Sequence, residues 1–232
     1  VRGDYYISGS TVSRFFALHV VALPLMLIAL VFMHLVALHE VGAGNPEGID
    51  IEEHLDDDGV PLDSVPFFPY KVLNALVGIG VFMTVFSIIM FFFPEAGGYF
   101  IEKANFEEAN PLSTPEHIAP VWYYSPYYAM LRAVPDKLGG LIVMAGAIAI
   151  LFVVPWLDRS KVNSIRYKGI FSKIAISLFA ISFLTLGYLG TVPVTELRTL
   201  MSVICTAIYF LFFFLMPIYT SLETTKQPPK RL

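Results

Sequence analysis

The stretch RFFALHVVALPLMLIALVFMHLVAL, residues 14–38, decides the fold. After Arg14 its only ionisable side chains are two histidines, His19 and His34. A helix crosses a bilayer with about 20 apolar residues at 1.5 Å rise each. Residues 12–38 therefore read as one span, and four more follow. Residues 72–93, VLNALVGIGVFMTVFSIIMFFF, carry no charge and stop at Pro94. Residues 138–156, 174–189 and 200–219 make three further runs joined by short turns. The expected fold is an all-α integral membrane protein of five transmembrane helices. Composition agrees. Of 232 residues, 56% are hydrophobic and 15% charged, where a soluble domain carries about 25% charged residues. The mean hydropathy is +0.67. Disorder, collagen and coiled coil are excluded. One cysteine, Cys205, excludes a disulfide scaffold. A net charge of −4 without a basic patch gives nucleic acid no footing.

Two connections are long. Residues 39–69 are acidic and rich in glycine and proline, and read as solvated surface. Residues 94–137 hold proline and aromatic clusters, too aromatic for a simple linker. That loop is expected to pack on the membrane surface or fold back into it, with short interfacial helices. Lysine and arginine set the orientation. Arg159, Lys161, Arg166 and Lys168 fill one short loop, and Lys226, Lys230 and Arg231 the tail. Two spans separate these segments, so both are expected on the cytoplasmic side together with residues 39–69. The 94–137 loop then lies outside. The sequence opens on Val1 just ahead of a span, which reads as a chain whose earlier part is missing. The chain divides, on this reading, into a first helix with its acidic loop (1–60) and a four-span region carrying the aromatic loop (61–232).

An ionisable side chain inside a membrane is costly and points to function. His19 and His34 lie fifteen residues apart, roughly 22 Å along a helix axis and about 60° around it. Pro24 lies between them and can kink the helix. Such histidines serve as packing residues, as ligands of two cofactors stacked across the bilayer, or as a proton relay. His39 sits at the helix end, where the dipole alone favours it, or where it meets a ligand at the interface. His54, among acidic residues, reads as solvated, and the glycines of GAGNP as a helix stop rather than a phosphate loop. In PVWYYSPYY, residues 120–128, five aromatics lie between prolines. They fit an interfacial belt or a pocket for a flat ring with a long tail, such as a quinone.

RFFALH, a second histidine in the same helix and then LHEVGAGNP resemble the fourth helix of cytochrome b from respiratory cytochrome bc complexes. ANPLSTPEHIAPVWYYSPYYAMLRAVPDKLGG resembles the loop between that family's fifth and sixth helices. The resemblance covers essentially the whole chain and implies two b-type haems, with ubiquinol and ubiquinone as substrates. By position, His19 matches the axial ligand of the outer, low-potential haem. His34 matches that of the high-potential haem on the cytoplasmic side. The other two ligands would come from the N-terminal part of cytochrome b. His39, Asn45, Lys71 and Asn74 match the inner quinone-reducing site, with Asn74 where the family usually has aspartate. Pro120, Val121, Trp122, Tyr123 and Tyr128 match the outer quinol-oxidising site. Val121 replaces the usual glutamate, and Glu116 is the nearest carboxylate in sequence. The resemblance further implies a ubiquinol:cytochrome c oxidoreductase in a bacterial inner membrane, with the C-terminus cytoplasmic. Its expected partners are the Rieske iron–sulfur protein, a membrane-anchored c-type cytochrome, membrane lipid and a second copy of the complex. Fifteen-residue histidine spacing and an unbroken chain place it with proteobacterial respiratory members. A haem-free quinone-binding subunit and a proton-coupled transporter are the alternatives, and a reduced-minus-oxidised visible spectrum separates them.

Overall fold

The structure is a computed structural model, and it describes residues 3–42, 44–50, 54–62, 64–98, 100–101, 106–108, 110, 112 and 118–228. Among these residues it is helical, with one isolated bridge between Leu55 and Pro61. Five helices are long and apolar enough to cross a membrane. They are α1 (Gly9–Val41), α2 (Phe67–Phe92), α4 (Lys137–Leu157), α5 (Ile170–Thr191) and α6 (Glu196–Phe214). Two shorter helices accompany them: α3 (Ser125–Ala133) in the aromatic loop and α7 (Met216–Leu222) after the last span. A short helix in the 94–137 loop is therefore present as α3.

Local chemistry sets the ends. The Ser8 N–H donates to the Thr11 hydroxyl at 3.4 Å where α1 begins, and α1 stops at Gly42 with φ 77°, a conformation that glycine adopts freely. The Asp136 carboxylate accepts from the Gly139 N–H at the start of α4. The Thr195 hydroxyl accepts from the Arg198 N–H at 3.3 Å at the start of α6. Glu196 in that first turn suits the positive end of the helix. Pro126 and Pro217 sit in the first turns of α3 and α7, where a missing N–H costs nothing.

The chain divides into two compact units. The first, Val1–Gly44 with Ile51–Glu116, carries α1 and α2. No residue in the most apolar window of either helix is buried. The second, Asn45–Asp50 with His117–Leu232, has a packed core. Met130 of α3, Ala147 of α4, Leu186 of α5 and Tyr209 of α6 meet there, each at most 1% exposed. Phe179, Phe183 and Phe213 surround Tyr209 with ring centroids 5.3, 6.2 and 5.2 Å from its own, and Phe212 packs on Phe179 at 4.5 Å. The Tyr209 hydroxyl, which apolar surroundings would otherwise penalise, donates to the Ala147 carbonyl at 2.8 Å.

Two glycines let helices touch backbone to backbone. A Cβ on Gly140 of α4 would lie 2.4 Å from the Leu131 carbonyl oxygen, and one on Gly190 of α5 would lie 2.1 Å from that of Ser125. Small residues at helix crossings are the usual solution inside a bilayer. Here they seat α3 between α4 and α5.

The second unit has two chemically different ends. At one, Ser164 donates to the Pro46 carbonyl at 2.7 Å, Arg166 and Tyr167 reach Glu47, and the Lys226 N–H donates to the Tyr167 carbonyl. The start of the acidic loop, the basic loop and the tail thus share one end, as the expected topology requires. At the other end of α5, roughly 33 Å away by its length, lie Ser125 and Arg132.

Candidate functional site

α1 carries three of the histidines. His19 and His34 are both exposed on its apolar surface, and among the described residues no hydrogen bond or ion pair engages either imidazole. His19 lies in a π-turn, Leu18–Ala22, which interrupts the α-helical hydrogen bonding just before Pro24. His39 sits in the last turn of α1. It is five residues past His34, about 140° around the helix, so the two address different sides.

Neutral imidazole is a haem-iron ligand, and a haem iron asks only for axial donors. Among the described residues no cluster of three or more His, Cys, Asp or Glu could hold a bare metal ion. Two uncommitted imidazoles on one uncovered apolar helix fit two haems held against a second helix.

Lys71 and Asn74 are exposed at the head of α2, in the same unit as His39. Asn45 belongs to the second unit. Its side-chain oxygen accepts from the Glu47 and Ile49 N–H groups at 3.1 and 3.0 Å, which folds the turn before the basic loop. Its amide nitrogen is buried with no partner among the described residues.

Residues 120–128 form a compact aromatic step. A turn closes with the Tyr124 N–H donating to the Val121 carbonyl at 2.8 Å, and α3 begins directly after it. Val121, Trp122 and Tyr123 are exposed, and Pro120, Tyr127 and Tyr128 half-buried. Trp122 meets Tyr123 edge to face at 5.5 Å, and Tyr123 meets Tyr124 at 4.8 Å. Rings half wet and half apolar suit an amphipathic guest. Val121 offers no acceptor at this step. Glu116, the sequence candidate for one, lies outside the described residues.

The sequence reading missed Arg132. Its guanidinium lies 4.6 Å from the centroid of the Tyr128 ring. It also donates to the Val192 carbonyl at 3.3 Å and to the Leu189 carbonyl. Tyr128 and Arg132 are i and i+4 on α3, a spacing that puts side chains together, so the pair was visible once a helix was assigned there. Replacing Arg132 with methionine is expected to lower the melting temperature of the detergent-solubilised complex. Two charged hydrogen bonds to the end of α5 are lost, about 2 kcal/mol.

Fold and site together define an integral membrane protein of five spans, with histidines inside one span and an aromatic loop at one end. A family model described as Cytochrome b(N-terminal)/b6/petB matches residues 1–126, and one described as Cytochrome b(C-terminal)/b6/petD matches residues 108–210. The chain belongs to the cytochrome b family. It is 52% identical to cytochrome b of Allochromatium vinosum over 100% of this chain and 58% of that protein. With cytochrome b of Rickettsia bellii the identity is 42%, over 99% of this chain and 55% of the relative. With that of Rhodospirillum rubrum it is 42%, over 98% and 53%. A solved structure described as hyperthermophilic respiratory Complex III superimposes with a TM-score of 0.84 at 35% identity, covering 96% of this chain and 54% of that one. The chain thus spans a little over half the length of the relatives it matches.

Proposed function

We propose that this chain forms part of a ubiquinol:cytochrome c oxidoreductase, oxidising quinol at the outer face and reducing quinone at the cytoplasmic face. The observation that carries the reading is the pair of uncommitted imidazoles, His19 and His34, on the single apolar helix α1. They would hold two b-type haems, the low-potential one at His19 and the high-potential one at His34, against a helix from the N-terminal part of cytochrome b. Bound there, the haems supply one-electron transfer between the two faces.

Everything else falls to the protein. At the outer face Trp122 and Tyr123 give a flat wall for the quinol ring, and Pro120 and Val121 its edge. Tyr128, held under Arg132, hydrogen-bonds the ring. Quinol gives up two electrons and two protons. One electron passes to the Rieske iron–sulfur protein and the other crosses the membrane. Val121 cannot take a proton, so Glu116, the nearest carboxylate in sequence, serves as the acceptor. At the inner face His39, Lys71 and Asn74 of the first unit orient quinone, and His39 and Lys71 supply protons. The basic loop and the tail mark the cytoplasmic end, and the aromatic step lies at the other end of α5. The setting is a bacterial inner membrane, in a dimeric complex with a membrane-anchored c-type cytochrome and bound lipid.

Turnover of quinol with cytochrome c by the complex isolated through this chain tests the reading, and its absence contradicts it. His39 has a narrower role. In His39→Ala, reoxidation of the inner haem by quinone is expected to slow about tenfold, with its reduction from the outer site unchanged. Flash or stopped-flow spectroscopy separates the steps, and equal slowing of both contradicts an inner-site role.

A further inference from the structure

On a regular α-helix, fifteen steps at about 100° leave His19 and His34 about 60° apart. α1 is not regular between them. The Leu23 N–H donates to the Leu18 carbonyl, closing a five-residue turn. From Leu23 to Val41 the helix is α throughout. A turn closed i→i+5 advances roughly 80° per residue instead of 100°. The four steps from His19 to Leu23 therefore take back about 80°, so the offset of about 60° becomes one of roughly 20° in the opposite sense.

Pro24 has no N–H to give the Val20 carbonyl, and its ring collides with that carbonyl in a closed α turn. Opening the preceding turn moves the carbonyl aside. Wide turns of this kind are uncommon and concentrate at functional sites.

We propose that Pro24 and the π-turn Leu18–Ala22 are a register device that rotates His19 into line with His34, so that one partner helix can complete both sites. This rests on the haem reading above. Pro24 is a positioning residue: it touches no ligand and acts through His19 alone. His34 lies ten residues beyond it in unbroken α-helix, so its orientation is set independently.

The test is Pro24→Ala in the whole complex, which lets the turn close to α. Haem is counted from reduced-minus-oxidised spectra, midpoints come from potentiometric titration, and electron paramagnetic resonance of the oxidised haems reports the angle between ligand planes. The expected result is confined to the haem at His19: occupancy reduced by more than half, or a shifted midpoint with a displaced low-field signal. The haem at His34 keeps its occupancy, midpoint and signal. Both haems unchanged overturns the proposal and leaves the haem reading intact. Absence of b-type bands from the unsubstituted complex defeats the haem reading itself. If Pro24→Ala depletes the complex, Pro24→Gly, which leaves the turn free to open or close, is compared in the same way. Equal loss at both haems in both variants overturns the proposal.

Discussion

Replacing His19 with alanine is expected to abolish the low-potential haem while the high-potential haem remains, and His34→Ala is expected to do the reverse. On the proposed reading each imidazole supplies an axial bond in apolar surroundings, where water is scarce and a replacement ligand is not at hand. No other histidine of the chain lies in the membrane-spanning part of α1, and His39, about 140° around from His34, faces elsewhere. Potentiometric titration of b-haem absorbance resolves the two. Quinol oxidation coupled to the inner face is expected to fall at least a hundredfold in either variant, because one link in a serial path is gone. If both variants keep two haems at unchanged midpoints, these histidines are not ligands.

The second large effect is expected at Gly190. Its missing Cβ is what allows α5 to meet the first turn of α3, for a Cβ would sit 2.1 Å from the Ser125 oxygen and 2.7 Å from the Ser125 carbonyl carbon. Both are backbone atoms and cannot swing aside as a side-chain tip can. Gly190→Val must push α3 away, at a cost of about 3 kcal/mol for overpacking a tight contact. The displaced element carries Tyr128 and adjoins Trp122 and Tyr123. Quinol oxidation is therefore expected to fall together with the melting temperature. A Gly190→Val complex with normal melting and normal quinol turnover would show that α3 is not seated by this contact.

The spans were legible because hydrocarbon thickness imposes a length and the bilayer excludes charge, so five apolar runs stand out without any knowledge of packing. Their ends were less so. α5 starts at Ile170 rather than near Ile174, taking in Ser172 and Lys173, and α6 starts at Glu196 rather than Leu200, taking in Arg198. Capping by Thr195 and the helix dipole make polar residues welcome in a first turn, and hydropathy alone counts them as outside. At the other end Pro217 opens a separate helix, so the last span stops at Phe214 rather than running on to Tyr219. In the site, the histidine pair and the aromatic step were readable from residue type and spacing. The contacts of Arg132 with Leu189 and Val192 were not, since these partners lie about sixty residues on. Nor were Gly140 and Gly190, whose purpose is a backbone in another helix. The π-turn depends on how one proline is accommodated, which the sequence flags as a kink without giving its sense.

The proposed function stands on two haems held from the single helix α1. The most direct measurement is a reduced-minus-oxidised visible spectrum with potentiometric titration, made on the complex isolated through this chain in its native membrane context. Two haems on α1 should give b-type bands that titrate as two components of equal amount and different midpoint. Absence of b-type bands, or a single component, would contradict it.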